Sequence, residues 1–219
     1  MAFSAFVFDL DGTLLDTLAD IALAANTLLE RHGWPAHPLD SYRRFVGSGF
    51  RMLVRRAMPP DALAGLDEAA LDALVREGKE LYSAGLWVKT APYPGVTDAL
   101  KALSARGCRL AVLSNKPDEQ TARLVEHFWP GLFEIVRGGR EGVPLKPDPA
   151  ALLAIVKEFG LAREQVGYVG DSDVDMLTAA NAGLFSLGVT WGFRGEAELA
   201  AAGAGALIRE PGEFARHAV

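Results

Sequence analysis

The stretch that most restricts the possible folds lies near the start of the chain: Ala5-Phe6-Val7-Phe8, followed by Asp9-Leu10-Asp11-Gly12-Thr13. Four consecutive apolar residues predict a strand buried on both faces, as found in parallel sheets sandwiched between helices. Gly12 and Thr13 predict a turn directly after it. Residues two apart on an extended chain point to the same side. Asp9 and Asp11 should therefore project together from the carboxyl end of the strand. Two like charges held that close repel, and a hard divalent cation such as Mg²⁺, which takes oxygen ligands, resolves the conflict. The plain alternative for the pair is a strand that ends in acidic turn residues.

Further apolar runs at 109–113, 133–136, 166–169 and 185–189 read as strands. They alternate with helical periodicity over 96–105, 118–128, 150–159 and 176–182. This alternation predicts an α/β fold: a doubly wound, mainly parallel, Rossmann-like sheet with right-handed crossovers. Ligands bind beyond the carboxyl ends of the strands of such a sheet, near a topological switch point. The chemically loaded residues fall there: Asp9, Asp11 and Thr13 after the first strand, Ser114 after the second, Asp171 and Asp175 after a later one.

From Asp16 to Ala91 the pattern is helical throughout. Thr17 is positioned to cap a first helix, and Ser41 to Val46 reads as a short helix stopping at Gly47-Ser48-Gly49. A basic helix runs from Phe50 to about Met58, where Pro59-Pro60 breaks the chain. Leu71, Leu74, Val75, Leu81 and Tyr82 mark another helix, weakened by Gly78 at its middle. Residues 1–15 and 92–219 are expected to form the core that carries the site. Residues 16–91 are expected to form an all-helical cap inserted directly after the first strand.

A chain of 219 residues, half of them hydrophobic, can bury a substantial core. Its formal net charge of −6 argues against a nucleic-acid surface. The single cysteine, Cys108, excludes an internal disulfide and reads as buried and inert. The four histidines are scattered, so any metal should be held by carboxylates. The first apolar run is far too short to span a bilayer. A cytoplasmic monomer or homodimer is expected, with neither nucleic acid nor membrane as partner.

The carboxylates Asp9, Asp11, Asp171 and Asp175 together could share one Mg²⁺ and leave one oxygen free to attack phosphorus, giving an acyl phosphate. Ser114-Asn115 by itself reads as a polar turn, and Lys146 before Pro147 as a loop lysine. Lys146 gains a second reading as the cation that lets one anion approach another.

The ordered set Asp9-Leu10-Asp11-Gly12-Thr13, Ser114-Asn115, Lys146-Pro147 and Gly170-Asp171-Ser172 with Asp175 resembles the four motifs of the haloacid dehalogenase superfamily of phosphatases. Within it, the bacterial phosphoglycolate phosphatases are the most similar group. That likeness rests on Val46-Gly47-Ser48-Gly49, Pro92-Tyr93-Pro94-Gly95-Val96, Ser114-Asn115-Lys116, Lys146-Pro147-Asp148-Pro149, Tyr168-Val169-Gly170-Asp171-Ser172 and Thr190-Trp191-Gly192-Phe193-Arg194. The resemblance implies a Mg²⁺-dependent hydrolase of a small phosphorylated metabolite. In it Asp9 is the nucleophile and Asp11 the proton shuttle. Mg²⁺ is held by the Asp9 side chain, the Asp11 carbonyl and Asp171, with Asp175 as a ligand or as acceptor for metal-bound water. Thr13, Ser114 and the Asn115 backbone bind phosphate, and Lys146 is the cation. A cis peptide before Pro147 is also implied.

The insertion resembles the family's helical cap, which closes over small substrates. Ser48, Gly49 and Arg51, at the start of the basic helix, are expected to meet a second anionic group, the carboxylate of phosphoglycolate. Arg51 and Arg55 share a face, while Arg56 turns away. Sugar phosphates and pyrophosphate are alternative substrates, and a phosphomutase is an alternative activity. A dehalogenase does not need Asp11 or a metal. A phospho-accepting signalling module is the reading from a different class, but such modules are about half this length.

Overall fold

The computed structural model describes residues 2–219. The chain opens with strand β1 (Ala5–Phe8) and a short β2 (Leu15–Asp16). Helices follow over Leu18–Arg31, Tyr42–Phe45, Phe50–Ala57, Pro60–Ala64 and Glu68–Ala84. Next come β3 (Ala91–Pro92), the helix Val96–Ala105, β4 (Arg109–Pro117), the helix Asp118–Phe128 and β5 (Ile135–Gly139). The helix Ala150–Phe159, β6 (Val166–Gly170), the helix Asp173–Ala182, β7 (Phe185–Val189), the helix Glu196–Ala201 and β8 (Ala206–Ile208) complete the order. The chain divides into two compact units, one ending at Asp16 and resuming with Pro92–Val219, the other Thr17–Ala91.

The first unit holds a six-stranded sheet in the order β5-β4-β1-β6-β7-β8, with every pairing parallel. β1 lies between β4 and β6: Phe8 is in register with Val112 on one side and Val169 on the other. The four residues of β1 are fully buried, and they alternate between two layers. Ala5 and Val7 pack with Leu152, Ile155, Phe159, Tyr168 and Ala179. Phe6 and Phe8 join an aromatic cluster with Phe3, Phe133 and Phe214, mostly edge to face. Helices thus cover both faces, and the polar ends of β1, β4 and β6 come together at one edge of the layer.

Some boundaries differ from the sequence expectation. β4 extends through Ser114-Asn115-Lys116-Pro117, expected as the loop beyond it, with a break in register between Leu113 and Pro117. The helix after β6 starts at Asp173 because the Ser172 hydroxyl caps it, accepting from the Asp175 amide. The Lys146–Pro147 peptide is cis.

In the helical unit, Leu28, Leu29, Val54, Ala57, Leu71, Leu74 and Val75 form a separate core. Pro60 does not leave a gap but opens a helix at its first position, where a missing N–H costs nothing. Gly78 does not interrupt the long helix. A side chain there would lie 2.8 Å from the Phe50 ring, so the glycine admits a close helix–helix approach. Thr17 sits at the start of the first helix, but its hydroxyl makes no capping bond. The anchoring is done by the buried Asp20, whose carboxylate accepts from the Lys89 and Thr90 amides and the Thr90 hydroxyl at 2.8–3.0 Å. The start of the insertion is thereby tied to its end. Asp20→Ala leaves three donors unmatched, two of them buried, and should lower stability by about 2–3 kcal/mol, measured by urea unfolding, with Asp20→Asn losing less.

Candidate active site

The site grows from the carboxyl end of β1. The Asp9 amide donates to Val169 O at 2.8 Å and holds the residue at the limit of the β1–β6 ladder. The chain then turns sharply, with the Thr13, Leu14 and Leu15 amides all directed at Leu10 O. Gly12 has φ +85°, and a Cβ there would stand 2.3 Å from Asp171 Oδ2, so only glycine fits both the turn and the approach.

Asp9, Asp171 and Asp175 converge, each offering a carboxylate oxygen within 4.8 Å of the others, and all three are buried. Lys146 Nζ stands 2.8 Å from Asp9 Oδ1 and 2.8 Å from Asp175 Oδ1. The contact to Asp9 is an ion pair that lacks hydrogen-bond alignment, which leaves Asp9 Oδ1 without a hydrogen bond. Asp175 is fully committed: Oδ1 accepts from Lys146 and Tyr168, Oδ2 from the Ser172 amide and hydroxyl. Asp171 accepts from the Thr13 hydroxyl at 3.1 Å and from the Phe193 amide at 2.7 Å.

Burial pushes the Asp9 carboxyl up to about 7, against the opposing pull of Lys146 and with help from the charge of Asp175. Burial likewise drives Asp171 well above the usual carboxylate range, reinforced by Asp175 and Asp9. Burial works against the Lys146 ammonium, but Asp175 and Asp9 outweigh it and raise its pKa.

These residues suit a hard divalent cation. Three buried carboxylates face one ammonium, so full ionisation would leave two negative charges unbalanced, and Asp9 Oδ1 accepts no hydrogen bond. The donor set is all oxygen, and no histidine belongs to it.

Asp11 stands apart from this cluster. Both of its oxygens accept from Lys116 Nζ, at 2.7 and 2.9 Å. Ser114 is buried beside them and accepts from the Lys116 amide at 3.2 Å. The Asn115 side chain makes a reciprocal pair with the backbone of Lys146, Nδ2 to O at 3.0 Å and Oδ1 from N at 2.8 Å, so β4 holds the lysine loop. The Thr13 hydroxyl, expected on a phosphate oxygen, is instead directed at Asp171.

In the helical unit, Ser48 and Gly49 do precede the basic helix, whose first flanking residue is Gly49. Arg51, expected to meet substrate, is bound by both Glu68 and Asp72. Arg56, expected to turn away, donates to Ser48 Oγ and Phe45 O at 3.1 Å and to Arg44 O at 3.3 Å. The sequence does not show that Arg51 has carboxylate partners, because these lie on a helix 17 and 21 positions away.

Three contributors have no signal of their own in the sequence. Lys116 pairs with Asp11. Trp191 donates from its indole to Thr13 O at 3.0 Å, and the Phe193 amide reaches Asp171. All three lie in stretches that carried part of the resemblance, Lys116 in Ser114–Lys116 and the other two in Thr190–Arg194. The resemblance could have marked those stretches but not the contacts they make.

The family model for haloacid dehalogenase-like hydrolases matches residues 6–189. The chain belongs to that family. It is a phosphatase by kinship as well, a phosphoric monoester hydrolase whose curated relatives share about 85% of its length. The phosphoglycolate phosphatase of Psychrobacter arcticus is 36% identical over 191 residues, 85% of this chain and 83% of the relative. That of Pseudomonas syringae pv. syringae is 38% identical over 192 residues, 85% of this chain and 69% of the relative. The crystal structure of a predicted phosphoglycolate phosphatase from Haemophilus somnus superposes with a TM-score of 0.90 at 30% identity, covering 98% of this chain and 97% of that one. Family membership removes the signalling-module alternative. No helix among the described residues is long and apolar enough to cross a membrane.

The raised carboxyls set a pH dependence. An acid whose folded pKa exceeds its unfolded value supports folding at low pH, and that support is lost as pH rises through the folded value, about 7 for Asp9. Asp171→Asn removes a carboxyl whose charged form burial, Asp175 and Asp9 disfavour. At pH 8 without metal it should raise Tm by about 2–4 °C, while the Tm gain on adding Mg²⁺ shrinks. Differential scanning calorimetry with and without Mg²⁺ checks both.

Proposed function

We propose that this chain is a Mg²⁺-dependent phosphomonoesterase that works through an aspartyl phosphate on Asp9, with 2-phosphoglycolate as its substrate. One observation carries the reading: Asp9 lies in a buried carboxylate cluster beside Lys146 with Oδ1 lacking a hydrogen bond, while Asp11 is held separately by Lys116. Two acids two residues apart are thus given different surroundings, as different chemical duties require.

In this reading an Asp9 oxygen attacks phosphorus and the bond from phosphorus to the glycolate oxygen breaks. Asp11 donates a proton to that departing oxygen. It then takes a proton from the water that attacks the phosphorus of the aspartyl phosphate, and phosphate leaves as the bond to Asp9 breaks. Lys146, already facing Asp9, meets a phosphoryl oxygen. The Ser114 hydroxyl and the Asn115 amide bind the others, and Thr13 orders Asp171. Asp9, Asp171 and the Asp11 carbonyl would hold Mg²⁺, with Asp175 bound directly or through water. The cation would supply positive charge where two anions must approach.

The substrate assignment rests on curated relatives named phosphoglycolate phosphatase, those of Psychrobacter arcticus and Pseudomonas syringae among them. The helical unit acts as the cap and selects the substrate through Ser48 and Gly49. Arg56 fixes Ser48 in place, and Arg51 takes part only by exchanging Glu68 or Asp72 for substrate. The enzyme is taken to be cytoplasmic.

Turnover should be measured across a panel of small phosphomonoesters and pyrophosphate, with Mg²⁺ and with a chelator. The highest kcat/KM is expected on 2-phosphoglycolate, and activity is expected to vanish with the chelator. Asp9→Asn should lower kcat by about 10⁴-fold or more. Normal turnover by that variant would refute the mechanism, and a clear preference for another ester would refute the substrate.

A further inference from the structure

Lys116 is a buried cation whose place Lys146 does not explain. Lys146 serves Asp9 and Asp175, whereas Lys116 gives two hydrogen bonds to Asp11 and approaches both of its oxygens. The side chains of this second pair are only 4% and 11% exposed. A lysine near a strand end ordinarily extends into water, since its ammonium is strongly hydrated and its stem flexible. Burying one therefore requires a fixed starting point for the stem and a partner at its tip.

Both are built into the fold. The β4–β5 register breaks between Leu113 and Pro117, so the backbone at Lys116 leaves the regular ladder. Its amide donates to Ser114 Oγ at 3.2 Å, and its carbonyl accepts from the Thr121 hydroxyl at 3.2 Å. From the neighbouring strand the Gly138 amide donates to Asp118 Oδ1 at 2.8 Å. A side chain at Gly138 would stand 2.6 Å from Lys116 O and 2.5 Å from Asp118 Cα. The strand comes that close only because it carries glycine there. The irregular end of β4 is thus held by its own serine, by the following helix and by β5.

The tip has an equally definite task. Asp11 follows a strand end where three other carboxylates gather. Repulsion alone would push it away from them without choosing a direction. The ammonium of Lys116 chooses one. One Asp11 oxygen can remain on Nζ while the other reaches the oxygen that gains or loses a proton.

We infer that Lys116 is a positioning residue for proton transfer, holding the Asp11 carboxylate apart from the Asp9–Asp171–Asp175 cluster and oriented toward the departing oxygen. The inference rests on the proposed acid–base role of Asp11. It assigns to β4 a function in the proton-transfer steps in addition to phosphate binding through Ser114.

The test exploits the leaving group. A nitrophenolate departs without a proton, whereas the alkoxide of glycolate needs one. Lys116→Met keeps the length of the side chain and removes its charge. On 2-phosphoglycolate its kcat should fall about 10²-fold with little change in KM. On p-nitrophenyl phosphate the first step should remain fast, and stopped-flow should show a burst of nitrophenolate, because the later water attack still needs Asp11. Lys116→Arg should recover part of the loss, since a guanidinium can engage both carboxylate oxygens. Equal slowing of the first step on both esters would overturn the inference and leave Lys116 a structural residue. So would a rise in KM for 2-phosphoglycolate with kcat unchanged, which would mark it as a substrate contact. Asp11→Asn serves as the reference. If it shows no leaving-group dependence, the reading of Asp11 fails; if it does and Lys116→Met does not, only the inference fails.

Discussion

The burial of Asp9, Asp171 and Asp175 around the single ammonium of Lys146 is the constraint on which the rest of this structure turns. Grouping like charges away from water is unfavourable, and it persists in a fold only when each oxygen is given a partner or a counter-charge. Asp175 has its partners from Lys146, Tyr168 and Ser172. Asp171 has Thr13 and Phe193. Asp9 faces an ion pair alone. Unevenness of this kind is informative, because the least satisfied carboxylate is the one best placed to react or to bind a cation.

The sheet makes the grouping possible. β1 is central and parallel to both neighbours, so the ends of β1, β4 and β6 are brought together by register. Each strand end adds a different kind of group: β1 the two acids, β4 a hydroxyl and a lysine, β6 two more acids through its following turn and helix cap. The Asn115 side chain then locks the loop that carries Lys146 to β4, and Trp191 fixes the turn after β1. Asp9 and Asp11 share a sequence motif but have different counter-ions, Lys146 and Lys116, and in the proposed mechanism that difference separates a nucleophile from a proton carrier.

Much of this was legible in the sequence. Alternating periodicities predict the parallel sheet, and the apolar run 5–8 predicts its most buried strand. The acids at strand ends predict where chemistry gathers. The failures share one cause: they depend on contacts between residues far apart in the chain. Thr17 looks like a helix cap, but the anchoring falls to Asp20, whose partners lie about seventy positions later. Nothing local to Arg51 reveals its partners Glu68 and Asp72 either. Nor does the sequence reveal that Asp171 is brought beside the Thr13 hydroxyl. Ser114 to Pro117 looks like a loop because polar residues are frequent in turns, yet the strand runs through an irregular stretch to Pro117, which pairs with Gly139 of β5. Short-range patterns announce elements, whereas the pairing of charges is decided by the fold.

Burial raises the Asp9 and Asp171 carboxyls and so favours protons on the cluster, which a divalent cation bound there would displace. Isothermal titration of the metal-free protein with Mg²⁺ near pH 6, in buffers of differing ionisation enthalpy, measures this directly. Because Asp9 is raised to about 7 and Asp171 is raised as well, binding should release protons, and affinity should increase with pH. Mg²⁺ binding with no proton release and no dependence on pH would contradict the account.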